Sequence, residues 1–361
     1  MKSIRRLLLR LLLVNLGTSF CVAIAHGEAK TRVYTVGHFS DEFYATLTVE
    51  KGNDVFRPGA VAVYEHGSRK LVLRVESEAL TVDLDRSNQA SANVKELPYG
   101  RQSVLIHEDF DFDGRADLAI MDGQKSCYNG PSFQIFLRRG RGFVKSREFT
   151  RLAQEYCGMF QVDAKAKRLS TMTKSGCCWH LFESYDVVNH APRLLESATE
   201  SLADYSSYYL KRETTKHGQP TKVEYFLLGP QDLRAKALLE FDLVGPRQRR
   251  VKVFLLEGRL EYALVNGTEQ RVEFGYELHV QLQGDAERPP FVWSPTSREL
   301  SFRNGGYRYV IQDSPGRLGV SVHTGTKVTF LPGVESSRSG SLDRLNVKGL
   351  QNVVLAPNSS R

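Results

Sequence analysis

The sequence predicts an all-β protein, and three observations predict it. Short alternating apolar–polar runs recur along the 361 residues, Gly, Asn and Asp punctuate them roughly every 8–12 residues, and helical periodicity is scarce. Hydrophobic residues at 41% and aromatics at 10% supply enough apolar surface for a sizeable core, which excludes wholesale disorder. The length suggests two domains. The first is expected to be propeller-like or barrel-like with a calcium loop, and the second a β-rich, sandwich-like domain. No repeat at a fixed period marks regular propeller blades.

In chain order, residues 1–25 read as a secretory leader. Lys2, Arg5 and Arg6 form its basic end, an apolar run follows, and Ala23-Ile24-Ala25 supplies small residues for cleavage after Ala25. Arg10 and Asn15 interrupt the run, so it is too short for a membrane anchor. A periplasmic location is the expectation, with no membrane attachment after cleavage. The leader carries four cations and no acid, so without it the net charge falls from +8 to +4. That surplus is too mild to argue for nucleic acid as a partner.

The first domain is placed at residues 30–195. Its strands read at Tyr44–Val49, Lys70–Val75, Leu80–Leu84, Ser103–Ile106, Leu118–Met121 and Phe133–Leu137. Residues 158–163 and 168–174 form the arms of a hairpin around Ala164–Lys167. Glu196–Tyr205 and Gln231–Glu240 are the two short helical candidates. Polar residues and Gly218-Gln219-Pro220 mark 196–222 as a linker. The second domain, 223–345, carries strands at Val223–Leu228, Val251–Leu256, Leu260–Val265, Val272–Leu282, Glu299–Arg303, Tyr307–Gln312, Leu318–His323 and Val328–Leu331. Residues 346–361 end in Pro-Asn-Ser-Ser-Arg and read as a frayed tail.

The sharpest motif lies between two of these strands. Asp109, Asp111 and Asp113 alternate, Gly114 provides a sharp turn, the Arg115 carbonyl comes next, and Asp117 follows. Calcium takes six to eight oxygen ligands, and alternating carboxylates around a glycine turn provide them. Ile120 stands where an EF-hand needs its bidentate Glu, so this is a strand–loop–strand site with a structural cation. The competing reading is an acidic surface turn that binds nothing.

Once Cys21 leaves with the leader, Cys127, Cys157, Cys177 and Cys178 form an even set suited to two disulfides. Closing the hairpin brings Cys157 toward Cys177 and Cys178, so one bond is expected there, with Cys127 taking the other neighbour. A vicinal Cys177–Cys178 bond is the strained alternative. A zinc site on Cys177, Cys178 and His180 lacks paired C-x-x-C spacing.

Several stretches, taken together in order, carry a family resemblance. They are Val94–Gly100, the Asp109–Leu118 loop, Tyr128–Phe133 and Lys174–His180, the last containing Ser175-Gly176-Cys177-Cys178-Trp179-His180. Over residues 30–195 the chain resembles the periplasmic, calcium-binding, propeller-like immunity proteins. Those protect Gram-negative bacteria from lysozyme-like toxins injected by neighbours' secretion systems. The resemblance implies a non-enzymatic inhibitor that occludes a peptidoglycan hydrolase. Phe302–Tyr307 and Ser339–Leu342 lie outside it and look like parts of another exported β-module. From the residues themselves, Tyr128, Trp179 and His180 adjoin cysteines that would hold them rigidly, which makes them the candidate partner-binding residues. Exposed aromatics on a β-domain serve sugar recognition too, so a cell-wall or carbohydrate-binding module is the alternative. Glu108 has no identifiable catalytic partner. No G-x-S-x-G elbow, H-E-x-x-H helix or P-loop occurs, and no enzyme is expected.

Overall fold

The computed structural model describes residues 31–96, 100–202, 209–227, 235–268, 270–277 and 288–357. The leader expected over 1–25 lies outside these residues. The described residues form twenty-five strands in five sheets, almost all antiparallel and all open, and one short α-helix. This bears out the all-β class and its sandwich-like element, while the barrel option gives way to a multi-sheet arrangement. Among the described residues, no helix is long and apolar enough to cross a membrane.

The first sheet is the meander β1 (Thr31–Thr35), β2 (Phe43–Glu50), β3 (Arg57–Glu65) and β4 (Leu71–Leu80). The second repeats that plan with β5 (Leu105–Glu108), β6 (Asp117–Gly123), β7 (Ser132–Arg139) and β8 (Gly142–Ser146). β2 shows why such segments become strands: Phe43, Ala45, Leu47 and Val49 are buried while the residues between them are half-exposed, the two-residue period of a half-buried strand. The helix α1 (Arg147–Leu152) follows, with the Ser146 hydroxyl capping it by accepting from the Phe149 N–H at 3.4 Å.

A six-stranded meander comes next: β9 (Gln161–Asp163), β10 (Arg168–Ser175), β11 (Trp179–Val188), β12 (Ala191–Leu202), β13 (Tyr209–Lys216) and β14 (Gln219–Leu227). Residues 196–222 are therefore not a linker. They supply the end of β12, all of β13 and the start of β14, with Gly218 in the tight turn between the last two. Polar composition misled here because these strands pair through polar side chains: Arg212 with Glu200, and Ser197 with Thr215. The helix expected over 196–205 is strand through Leu202.

The fourth sheet holds β15 (Ala235–Asp242), β16 (Arg249–Leu256), β17 (Arg259–Asn266) and β18 (Val272–Tyr276). The described part of the second helical candidate, 235–240, belongs to β15. The fifth sheet holds β19 (Phe291–Ser294), β20 (Glu299–Asn304), β21 (Tyr307–Ser314), β22 (Arg317–Thr324) and β23 (Lys327–Pro332). β24 (Ser339–Gly340) joins the edge of the fourth sheet beside β15. The last strand, β25 (Val353–Leu355), lies parallel to β19. The tail is thus anchored through residue 357 rather than frayed. Buried Asn352 both accepts from the Leu260 N–H and donates to the Leu260 carbonyl, at 2.9 and 2.8 Å.

Two large cores result. One gathers Leu47, Leu105, Phe110, Ile120, Phe149, Phe160, Leu169 and Tyr185 from the first three sheets and α1. The other packs Phe241, Tyr262, Phe291, Trp293, Phe302 and Ile311 between the fourth and fifth sheets. A smaller core joins Tyr209 and Leu227 of the six-stranded sheet to Phe254, Leu256 and Val265. The segment read as a linker is therefore the sheet that binds the two halves together.

Candidate functional site

The Asp109–Asp117 segment connects β5 to β6, as its flanking apolar runs indicate. The loop closes on its own backbone. Asp109 accepts from the Asp113 and Gly114 N–H groups at 3.1 and 2.8 Å, and Gly114 takes φ +88°, a conformation that favours glycine. Asp117 is fully buried, accepting from the Phe110 N–H at 2.8 Å and the Arg138 N–H at 2.7 Å. Burial pushes its carboxyl up to about 7, reinforced by Asp111 and Asp109, even though both N–H groups favour the charged form.

Asp111 is also buried. Its Oδ2 receives the Arg139 guanidinium at 2.7 Å and His190 Nδ1 at 2.8 Å, while its Oδ1 is buried without a hydrogen-bond partner. Carboxylate oxygens of Asp109, Asp111 and Asp117 converge within 4.8 Å of one another. Three carboxylates that close, two of them buried, repel each other unless a cation lies among them, and an orphaned oxygen among them suits one. The cluster can hold a metal ion. Asp113 stands apart from the cluster formed by the other three aspartates of the loop. The Arg115 side chain turns back to Asp113 Oδ2 at 2.8 Å and holds that carboxyl below its usual range. Asp113 groups with Asp111 and His190 rather than with Asp109 and Asp117.

Arg139 and His190 were invisible to sequence reasoning. They reach the loop from the end of β7 and from the β11–β12 turn, 28 and 79 residues away in sequence. Local spacing contains no trace of such a contact.

The cysteines form two disulfides, Cys127–Cys157 and Cys177–Cys178, which corrects the expected pairing. The β10–β11 hairpin has its turn at 176–178, so the vicinal pair sits at its tip. Cys157 lies farther back, donating its N–H to the Met172 carbonyl at 2.8 Å, and faces the single 3-10 turn of Cys127–Asn129.

The candidate partner-binding residues are brought together only in part. Tyr128 is 63% exposed in a left-handed conformation, φ +54°. Its hydroxyl accepts from the Gly176 N–H at 2.8 Å, and the Lys174 ammonium stands 5.2 Å from its ring centre. Lys174 faces His180 across β10 and β11, so Tyr128, Lys174 and His180 share one side of the hairpin. Trp179, 36% exposed, precedes His180 in the strand and projects to the opposite face. Phe182, 39% exposed and stacked on His180 at 6.1 Å, lies on the same face as His180. Strand alternation alone could have shown this.

No protein-family model and no curated protein matches the chain. Among solved structures, it is similar to one described as a Xanthomonas type IV secretion system related protein, at 21% identity. That alignment covers 54% of this chain and 93% of the other, with a TM-score of 0.42. Prolyl oligopeptidase B from Galerina marginata aligns at 10% identity over 85% of this chain and 42% of that one, TM-score 0.23. A structure from a study of two prolyl endopeptidases aligns at 12% identity over 82% and 47%, TM-score 0.20. The chain spans less than half the length of either peptidase.

Proposed function

We propose that this protein is an exported, calcium-stabilised periplasmic inhibitor. It binds a peptidoglycan-cleaving, lysozyme-like toxin and confers immunity without turning over a substrate itself. The observation that carries the reading is the fixed presentation of Tyr128. A disulfide precedes it, its hydroxyl is tied to the facing hairpin, and most of its ring remains in solvent. An aromatic side chain already held in place loses little entropy on binding, which suits it as an anchor in an enzyme cleft. The family resemblance over residues 30–195 supplies the class of target. The acidic loop, filled by calcium, would brace the β5–β6 connection behind this surface.

The test is an inhibition assay with purified lysozyme-like toxin acting on peptidoglycan, alongside a deletion strain confronted by toxin-delivering siblings. Tyr128→Ala should weaken inhibition by about 2 kcal/mol, the size of a true hot spot. His180→Ala on the same face and Trp179→Ala on the opposite one divide the surface between them. A deletion strain that survives as well as its parent, together with undiminished toxin activity in the presence of the protein, refutes the proposal.

A further inference from the structure

The face of the six-stranded sheet that carries His180 also carries a trough distinct from the Tyr128 surface. Phe182, Ala198 and Thr214 face one another across β11, β12 and β13, so one row runs from a large ring to two small side chains. An open cavity of about 580 Å³ lies over this row, with Glu196 on one flank and Arg212 and Glu224 on the other.

Its polar walls are already ordered. Arg212 Nε donates to Glu200 Oε1 at 2.7 Å, and the guanidinium lies 4.8 Å from the Phe226 ring. Glu224 Oε1 pairs with Lys222 at 2.7 Å and Arg271 at 3.6 Å. Phe182 is also the wall of a neighbouring hollow of about 310 Å³ beside Met172 and Cys157.

These features select one kind of occupant. An apolar side chain from a protein partner would bury charged walls against hydrocarbon, which is costly. A polyanion would meet Glu196 and Glu224 interleaved with Arg212 and Lys222, a lining of mixed sign that does not favour it. A sugar ring offers what the trough lacks: a C–H face to lie on the exposed Phe182 ring, and hydroxyl groups that both donate to carboxylates and accept from a guanidinium. We propose that this trough binds a neutral oligosaccharide, one ring stacked on Phe182 and its hydroxyls held by Glu196, Arg212 and Glu224. This site is independent of the inhibitor reading, because Ala198, Arg212 and Thr214 take no part in the Tyr128 surface.

Calorimetric titration of the full chain with a panel of neutral tetrasaccharides, including the β-1,4-linked N-acetylglucosamine tetramer and cellotetraose, tests it. At least one member should bind at millimolar concentration. Thr214→Trp, which fills the trough, and Phe182→Ala, which removes the stacking surface, should each weaken that binding by about tenfold or more. Both variants should keep the wild-type melting temperature, and Thr214→Trp should keep toxin inhibition. Silence of the whole panel with wild-type protein overturns the proposal, as does undiminished binding in both folded variants.

Discussion

Asp117 and Asp313 are both completely buried, and the two halves of the molecule handle them in opposite ways. Asp117 in the first half accepts from two backbone N–H groups and shares its site with Asp109 and Asp111. Asp313 in the second half accepts from the Ser341 hydroxyl at 2.8 Å and the Leu342 N–H at 2.7 Å, and pairs with Arg338 at 2.5 Å and Arg298 at 3.9 Å. Backbone groups satisfy hydrogen bonds at both sites, but guanidinium groups reach Asp313 itself, whereas in the first site Arg139 reaches the neighbouring Asp111 and not Asp117. Hydrogen bonding and charge balance are separate requirements. A site that meets the first with further carboxylates close by is shaped for a cation from outside.

The largest expected effect follows from the raised carboxyl of Asp117. Its native value of about 7 lies above the ordinary 3.8, so between these pH values the folded state binds more protons than the unfolded chain. In metal-free protein this contribution is fully present below about pH 3.8 and is lost as the pH rises toward 7, on the order of 4 kcal/mol in all. Denaturant titrations in chelator across that range should show the decline, and Asp117→Asn should flatten it.

Next in size, Arg338→Met removes one of the two guanidiniums facing Asp313 and leaves a buried carboxylate undercompensated. It should cost about 3 kcal/mol by chemical denaturation, with calcium giving no rescue. Dependence of this variant on calcium would erase the distinction between the two sites.

Calcium itself should stabilise the wild type by about 2.7 kcal/mol when free calcium is 100 times Kd. Asp111→Ala should abolish this gain and Asp113→Ala should reduce it, since Asp113 is turned toward Arg115. A melting temperature that chelator leaves unchanged would reduce the loop to an acidic turn. The smallest effect is expected from Cys177→Ser/Cys178→Ser, because a bond between adjacent residues closes no chain loop whose entropy could matter. Its stability should match wild type, and intact mass after alkylation without reduction should show no free thiols in the parent.

Most strands were legible because alternation is a local signal, as in Phe43–Val49. The acidic loop was legible for the same reason: its carboxylates lie within nine residues and share one turn. Arg139 and His190, which meet at Asp111, could not be read, because the fold and not the spacing brings them there. The polar stretch 196–222 was misread because strands with solvent on one face carry charges that resemble those of a loop. The disulfide pairing was misread because closing the hairpin fixes its tip, whereas the backbone bond from Cys157 to Met172 fixes where Cys157 stops.

The parallel pairing of β25 with β19 sets an order of events. While the chain is being made, residues up to 345 emerge before β25 does. At that stage the Leu260 N–H and carbonyl of β17 have not met Asn352, and the edge of β19 that takes β25 is open. The second half therefore receives this closing piece only once Leu355 has emerged, whereas every strand of the first two sheets has emerged once Ser146 has. The acidic loop, whose Asp111 waits for His190 of the β11–β12 turn, can therefore be complete while β19 still lacks β25.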